Sequence, residues 1–299
     1  MLGSFIGEIA ALGTSLSFSV GSTMFTNAGR RLGSLIVNRT RLIIAAIFLS
    51  LAHWFVLGTF LPFNAPAENW FWLSLSGIVG LVLGDIFLFQ AFVLVGPRIS
   101  MLMMSLAPVI AAIQAWIFLH ESLSGGQILG ILITLGGIAW VVLEGNGMHR
   151  GDRDYGRGIL FGLGGAIGQA TGFVLAKNGL GGNFSPISAN LIRMLSAMVV
   201  LWAITFFQRE AKLTLRTLFN DKQGFLFTTA GAFFGPFLGV SLSLFALQYV
   251  EVGVASTLTA LPPVFLLPIS YIFLRERFGW DAIAGTLLAM IGVAILFLV

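Results

Sequence analysis

Apolar residues run along this chain in stretches long enough to cross the hydrocarbon core of a bilayer. A membrane-spanning helix needs about 20 predominantly apolar residues. The stretches lack the alternation of apolar and polar side chains that marks the strands of a membrane barrel, so we interpret them as helices. The predicted spans cover residues 5–26, 34–58, 70–94, 98–119, 124–143, 157–178, 186–207, 225–249, 252–273 and 279–299. The loops between them are too short to form a soluble domain.

Two polar stretches interrupt this pattern. Residues 144–156 form a Gly- and charge-rich linker near the middle of the chain, and residues 208–224 form the longest charged loop. The second stretch is compatible with a short interfacial helix or with a plain solvated loop.

The two halves of the chain repeat one pattern. Residues 80–143 align with 235–298 without a gap, and 18 of the 64 aligned positions are identical, against roughly one in twelve expected by chance. The identical pairs include Gly80/Gly235, Gly84/Gly239, Pro108/Pro263, Glu121/Glu276, Gly130/Gly285 and Gly137/Gly292. Weaker matches at slightly shorter offsets include Gly13/Gly164, Gly21/Gly172, Asn38/Asn190 and Arg41/Arg193. The repeat predicts two domains, 5–143 and 157–299, joined by the linker 144–156.

Each predicted domain contains five spans, and this odd number determines how the two domains are related. After five crossings the second domain enters the membrane from the opposite side, so the two domains are inverted repeats. Inverted repeats are typical of secondary transporters, in which the two halves exchange conformations around a central site. We therefore predict an all-α polytopic membrane protein of ten transmembrane helices in two inverted five-helix repeats.

Composition agrees with a membrane protein and excludes other classes. Hydrophobic residues make up 57% of the chain and charged residues 9%, far below the roughly 25% charged residues of soluble domains. The chain has no cysteine, which excludes disulfide frameworks and thiolate metal sites. The net charge of +4 indicates membrane topology rather than nucleic-acid binding, because the basic residues lie between long apolar runs.

The distribution of basic residues predicts an orientation. Of the 16 Lys and Arg residues, 14 fall in the loops after odd-numbered spans or in the adjoining helix ends. The positive-inside rule then places the odd-numbered loops in the cytoplasm and both termini outside.

The repeated unit also resembles a known family. Each copy is a Pro-initiated helix of about thirteen residues that runs to Glu, followed by a Gly-spaced apolar helix. The copies read APVIAAIQAWIFLHESLSGGQILGILITLGGIAWVVL and PPVFLLPISYIFLRERFGWDAIAGTLLAMIGVAILFL. The chain resembles ten-helix members of the drug/metabolite transporter superfamily with two EamA domains. The resemblance implies a transporter in the cell membrane, commonly an exporter of amino acids or other small metabolites, with a central cavity and both termini in the cytoplasm. The charge distribution predicts the reverse orientation.

Asp85 is the acid that the pattern places near the middle of a span. A carboxylate at that depth is costly and usually faces a partner or a water-filled cavity. The equivalent position in the second half is Val240, so the shared architecture does not require the acid. Two interpretations are open. In the functional one, Asp85 couples transport to a proton or cation or captures a substrate amine. In the structural one, it is a protonated or Arg-paired acid.

Uncharged polar and aromatic residues at membrane depth complete the candidate substrate or coupling site. They are Gln90, Gln114, Gln169, Gln248, Trp116 and Tyr271. Together with Asp85 they would line an amphipathic cavity, although glutamines also bridge helices and Trp and Tyr often anchor helix ends at the interface.

The motif residues of the repeat are assigned to architecture. Pro108 and Pro263 are expected to start or kink their helices, and Glu121 and Glu276 to stabilise the connection to the next helix. Arg41 and Arg193 lie close to the beginning of their spans, where we expect them to extend toward the membrane interface.

No pattern indicates an enzyme. The three histidines are scattered, and the motifs of serine hydrolases, zinc proteases and P-loop ATPases are absent, so we expect no metal, cofactor or ATP-driven step. The sequence predicts a secondary transporter that moves a small organic metabolite by alternating access, with coupling to protons as one open interpretation. A passive channel or facilitator is the alternative, and a membrane scaffold is a weaker one. Substrate, direction, coupling ion and oligomeric state are left open.

Overall fold

The computed structural model describes residues 2–118, 123–148, 153–179, 184–246, 249, 258–273, 275 and 278–298. All regular secondary structure within these residues is helical. Seven of the helical runs there are long and apolar enough to cross a membrane. The predicted fold class is therefore confirmed: the chain is an all-α, polytopic membrane protein.

The described residues contain a series of helices. They are α1 Leu2–Leu32, α2 Ser34–Leu57, α3 Ala67–Gly77, α4 Asp85–Met104, α5 Leu106–Phe118, α6 Gly125–Met148, α7 Arg153–Gly179, α8 Pro186–Phe207, α9 Ala211–Asn220, α10 Lys222–Ala232, α11 Val240–Ala246, α12 Pro262–Phe273 and α13 Trp280–Leu298. A π-helical segment joins α3 to α4 over Ile78–Gly84, and another joins α10 to α11 over Phe233–Gly239.

Glycines in the left-handed region end three of the spans in the described residues. Gly58 has φ 73° and caps the end of α2. Gly33 has φ 89° and separates α1 from α2. Gly96, which precedes Pro97, has φ 77° and is not helical. Helix α4 is therefore kinked at this residue, and its second part continues from Pro97 to Met104. Residues other than glycine rarely adopt such angles. The breaks at Gly33 and Gly96 define where the first and third predicted spans end.

The fourth predicted span, 98–119, is divided in the structure. Its first part is the end of α4, and its second part is α5, with Ser105 between them. Pro108 has no N–H to donate to the carbonyl of Met104, so the helix is interrupted one turn before the proline, as expected.

The predicted linker 144–156 is mostly helical within the described residues. Helix α6 continues to Met148 and α7 begins at Arg153; residues 149–152 lie outside the described part. A helix bonds its own backbone wherever it lies, so it continues past the last apolar residue without cost when its polar side chains reach water.

The charged loop 208–224 contains a short amphipathic helix, the first of the two alternatives. Thr214 and Leu218 on α9 are buried against the bundle, whereas Leu213 and Phe219 are exposed. Its ten residues are too few to cross the hydrocarbon core of a bilayer.

The two halves contact each other symmetrically through α6 and α13. A Cβ atom at Gly130 would lie 2.8 Å from the carbonyl oxygen of Gly292, and one at Gly137 would lie 2.7 Å from that of Gly285. Gly130 is equivalent to Gly285 in the repeat and Gly137 to Gly292, so each residue contacts the equivalent of the other. This is the reciprocal pattern of a two-fold interface, and it makes the equivalent helices antiparallel.

The same reciprocity holds for α1 and α7, the first helix of each half. Gly21 on α1 lies against Gly235, where an added Cβ would be 2.9 Å from the Gly235 nitrogen. Its equivalent Gly172 on α7 lies against Gly80, the equivalent of Gly235, with 3.0 Å between the built Cβ and the Gly80 Cα. Each half therefore inserts its first helix against the π-containing helix of the other half.

Candidate functional site

An ion pair is buried inside the helical bundle. Asp85, the first residue after the Ile78–Gly84 segment, accepts a hydrogen bond from Nη2 of Arg41 on α2. Asp85 is 2% exposed and Arg41 is 4% exposed. The Arg41 guanidinium also donates through Nε to Asn38 Oδ1 over 3.1 Å, and it lies 4.8 Å from the centre of the Phe89 ring. The opposite charges and the ring face compensate a guanidinium that has left water.

Gln169 of the second half joins this pair. Its amide Nε2 lies 3.4 Å from Asp85 Oδ1. Close packing of glycines makes this contact possible, because a Cβ at Gly168 would lie only 2.4 Å from the Cα of Gly84. Small residues at such spacing let helix backbones approach closely, and here they bring α7 against the helix that carries Asp85.

Arg193 on α8 is the repeat equivalent of Arg41 and lies at the edge of the same cluster. Its guanidinium is 5.4 Å from the centre of the Phe173 ring, and it is attracted electrostatically to Asp85. A Cβ at Gly80 would lie 3.5 Å from Arg193 Nη2 and 3.2 Å from Gln169 Oε1. The bare backbone of Gly80 therefore leaves room for both side chains. We call Arg41, Asp85, Gln169 and Arg193 the central cluster.

The two arginines approach the centre of the bundle from opposite ends. Each lies seven residues after the start of its helix, Ser34 for Arg41 and Pro186 for Arg193. At a rise of 1.5 Å per residue this is about 10 Å along the helix. Because α2 and α8 run antiparallel, with Arg39 near Gln208 and His53 near Ser188, the two guanidinium groups reach the central cluster from opposite ends of the bundle.

A second arginine of α2 links the halves at one end of the bundle. This end carries Arg30 and Arg31 of α1, Arg39 of α2 and Arg209 after α8, and we call it the Arg-rich face. Arg39 is 3% exposed and donates to Thr214 Oγ1 over 3.1 Å and to Gln208 Oε1 over 3.2 Å, and it pairs with Glu210 Oε2 at 2.7 Å. These partners belong to the end of α8, the following turn and α9. A cavity of about 250 Å³ adjoins Arg39 and Glu210.

An exposed ion pair reinforces the same face. Arg31 at the end of α1 donates to Asp221, with 2.8 Å between Nε and Oδ2. Asp221 caps α10 by accepting from the backbone N–H of Gly224. The hydrogen bond from Arg31, followed by that from Gly224, lowers the pKa of the Asp221 carboxyl below its ordinary value.

Polar contacts also join the halves at the opposite face. His53 near the end of α2 is 2% exposed, and its Nε2 lies 3.0 Å from Ser188 Oγ on α8. Asn69 donates to the carbonyl of Gly179 over 2.9 Å. A cavity of about 310 Å³ adjoins His53 and Ser188, so the described residues form a cavity at each end of the bundle.

The other predicted residues lie away from the central cluster. Gln90 accepts from Ser34 Oγ over 2.6 Å near the Arg-rich face, and Gln114 donates to Thr171 Oγ1 over 2.9 Å. Trp116 is 54% exposed and Tyr271 is 65% exposed, so both project from the bundle. The structure thus brings Asp85 and Gln169 together and leaves these four residues elsewhere; their predicted part in substrate binding is untested.

Three predicted residues lie outside the described part of the chain: Gln248, Glu121 and Glu276. The prolines of the motif are described. Pro108 lies in the first turn of α5, and Pro263 is the second residue of α12, as predicted for residues that start helices.

The sequence interpretation was wrong about the arginines of α2 and α8. Arg41 does not extend to the interface, because Asp85 and Asn38 hold its guanidinium inside the bundle. The signal was present in the repeat. Asn38/Arg41 and Asn190/Arg193 recur with a spacing of three, which places both side chains on one helix face.

Comparisons with known proteins agree with this architecture. The model of the EamA-like transporter family matches the chain twice, over residues 5–143 and 156–298. A protein of Archaeoglobus fulgidus described as an uncharacterized transporter is 42% identical over 48 residues, which cover 16% of this chain and only 17% of that relative. A solved crystal structure that is 17% identical covers 97% of this chain and 95% of its own, with a TM-score of 0.65. At that identity the likeness concerns the fold alone.

Proposed function

The chain belongs to the EamA-like transporter family, and from this premise we propose that it is a secondary transporter that moves a small organic metabolite by alternating access. The family match points to transport through a membrane rather than to catalysis. Export of an amino acid or a related compound is the activity that the family resemblance favours.

The observation that carries this proposal is the reciprocal packing of the two halves around a buried charge cluster. Gly21 against Gly235 and Gly172 against Gly80 are equivalent contacts in an inverted arrangement. Two inverted halves can exchange conformations, so that a site between them opens first to one side and then to the other. The central cluster lies between the halves, and each end of the bundle has a cavity whose lining does not include the cluster.

The contacts between the halves at each end supply the two gates of this mechanism. Opening the Arg-rich face breaks the contacts of Arg39 and the pair of Arg31 with Asp221, and opening the other face breaks the contact of His53 with Ser188. The exposed pair of Arg31 with Asp221 is expected to contribute only about 0–1 kcal/mol. The buried contacts of Arg39 and His53 cost more to break, and a bound solute or an ion gradient supplies that free energy.

Asp85 is the proposed coupling residue. Its carboxylate is held between the two halves by Arg41 and Gln169, so a change in its charge alters the contacts of both. Protonation from one side and release to the other would link the conformational exchange to a proton gradient. Capture of a substrate amine by Asp85 is less favourable, because Arg41 already neutralises the carboxylate.

The moving bodies in this proposal are the domains 5–143 and 157–299, joined by 144–156, and the odd-numbered loops face the cytoplasm. The chain has no cysteine, so single-cysteine variants test the orientation directly. Asn64→Cys is expected to react with an impermeant maleimide added to intact cells, and Arg216→Cys only after the membrane is opened. The opposite labelling would reverse the orientation.

Reconstituted vesicles test the transport proposal. The purified protein is placed in vesicles with and without an imposed proton gradient, and uptake is measured for the common amino acids and a set of small organic acids and amines. We expect accumulation of at least one solute above its external concentration when the gradient is present, and loss of accumulation in Asp85→Asn.

Two outcomes would contradict this proposal. If a solute only equilibrates across the vesicle membrane, equally with and without the proton gradient and also in Asp85→Asn, the protein is a passive facilitator. Failure of a correctly inserted protein to move any solute of the panel removes transport of small metabolites. A reporter of vesicle insertion, such as protease protection, is the control.

A further inference from the structure

The two halves of the central cluster carry unequal charge. Arg41 and Arg193 are equivalent in the repeat, but the position that holds Asp85 in the first half holds Val240 in the second. The first half therefore contains a complete ion pair, and the second half contains an arginine without the corresponding acid.

Among the described residues Arg193 has the Phe173 ring face, 5.4 Å away, but no acidic or hydrogen-bonding partner in direct contact. It forms no hydrogen bond there and no ion pair within 4.0 Å, and its Nε is buried without a hydrogen-bond partner. The carboxylate of Asp85 attracts it only at longer range, because Asp85 bonds to Arg41. With one carboxylate and two guanidinium groups, the central cluster has a net charge of +1.

Two unpaired polar atoms belong to residues close to Arg193 in the structure or along its helix: Gln169 faces Gly80 together with Arg193 Nη2, and Asn190 lies three residues before Arg193 on α8. Gln169 Oε1 and Asn190 Nδ2 also have no hydrogen-bond partner among the described residues. Arg193 retains partial exposure, whereas Arg41 is 4% exposed. A guanidinium within the membrane that lacks a counter-charge is costly, and a partly accessible one can receive that charge from a solute.

We propose that Arg193 is the docking group for the carboxylate of the transported solute, with the Asn190 amide as an additional donor. A planar guanidinium matches a carboxylate in a bidentate arrangement. Gly80 leaves room for the Gln169 amide beside Arg193, because a Cβ there would lie 3.2 Å from Gln169 Oε1 and in ordinary contact with Arg193 Nη2 at 3.5 Å. The proposal rests on the proposed function, since it makes the central cluster the transport site, and it selects amino acids and organic acids over amines.

Binding to the purified protein in detergent tests the site without requiring transport. The midpoint of thermal unfolding is measured with a panel of amino acids and organic acids, with the carboxamide of each, and with sodium chloride at equal ionic strength. At least one carboxylate is expected to raise the midpoint where its carboxamide does not. Arg193→Gln should lower that affinity by roughly tenfold to a hundredfold, the loss expected for charge-assisted hydrogen bonds.

Two further variants separate docking from a general effect of charge. Arg216→Gln, on the exposed surface of α9, is the matched control and should bind like the wild type. Val240→Asp restores the acid that the repeat lacks, so it should neutralise Arg193 and reduce carboxylate binding while the protein remains folded.

Each remaining outcome decides the proposal. Equal binding by the wild type and Arg193→Gln, a response to chloride alone, or no carboxylate-dependent shift across the panel would overturn it. Binding that depends on Arg193 in a protein that moves no solute supports the docking site and removes the proposed function. Gradient-driven transport of a carboxylate that survives unchanged in Arg193→Gln removes the docking site and leaves the function.

Discussion

Replacing Asp85 with Asn would leave the Arg41 guanidinium inside the bundle without its counter-charge. Both side chains are nearly inaccessible, at 2% and 4% exposure, so water cannot take the place of the carboxylate. Removing one partner of a buried pair typically costs about 3–5 kcal/mol. At about 2 °C per kcal/mol for a chain of this size, the midpoint of thermal unfolding should fall by roughly 6–10 °C.

The reverse replacement should cost less. In Arg41→Gln the remaining acid can become neutral by taking up a proton, whereas a guanidinium stays charged at every accessible pH. We therefore expect Asp85→Asn to be the more destabilising single change, also because it leaves Arg41 and Arg193 without any carboxylate between them.

The double variant completes the thermodynamic cycle. Asp85→Asn combined with Arg41→Gln removes both charges and leaves two uncharged amides, so its stability should return to within about 1–2 kcal/mol of the wild type. Unfolding can be followed by tryptophan fluorescence in detergent, with Arg216→Gln as an exposed control. Strict additivity of the two single losses would refute the reasoning, because it would mean that the two groups do not interact.

Three further predictions concern the glycine contacts and the Arg-rich face. Gly137→Ala should lower stability by roughly 1–3 kcal/mol, because its Cβ would lie 2.4 Å from the Ala289 nitrogen, whereas Gly136→Ala meets no atom within 4 Å and should unfold like the wild type. Gly80→Ala should reduce solute binding several-fold by displacing Gln169, while Gly235→Ala, whose Cβ would contact only the edge of a phenylalanine ring at 3.4 Å, should not; equal effects would contradict the role given to Gly80. Because the pKa of Asp221 is lowered in the folded protein, its ionised carboxylate stabilises the fold at every pH above the range in which ordinary carboxyl groups titrate. The stability difference from Asp221→Asn should be constant between about pH 5 and pH 8 and disappear only below about pH 4; a difference that changes near neutral pH would point to another group.

The sequence predicted the helical class, the repeat and the approximate position of the spans because hydropathy and identity act locally along the chain. It did not predict that Arg41 reaches Asp85, since the partners lie 44 positions apart and on different helices. The pairing depends on which helix faces which, and that depends on close backbone contacts such as Gly84 with Gly168. The glycine spacing was visible in the sequence, but the partner of each glycine face was not.

The helix ends show a second limit of hydropathy. The polar residues 144–148 were interpreted as linker, yet α6 continues through them, because a helix outside the hydrocarbon layer needs only satisfied backbone groups and not apolar side chains. Ser105 shows the converse, since an apolar run is divided where Pro108 removes one hydrogen bond. Length and polarity thus locate a span within a few residues, and backbone bonding decides where it stops.

The two π-helical segments have a consequence for the origin of this protein. Ile78–Gly84 and Phe233–Gly239 occupy equivalent positions in the repeat, so the irregular turn was already present in the ancestral five-helix unit before its gene was duplicated. π-helical turns are rare and frequently occur at functional sites. The shape of the central region is thus inherited twice, whereas the residue that follows the turn has diverged to Asp85 in one copy and Val240 in the other. Fusion of two identical units into one chain is what allowed this divergence, because a pair of separate, identical subunits would have carried the acid in both copies or in neither.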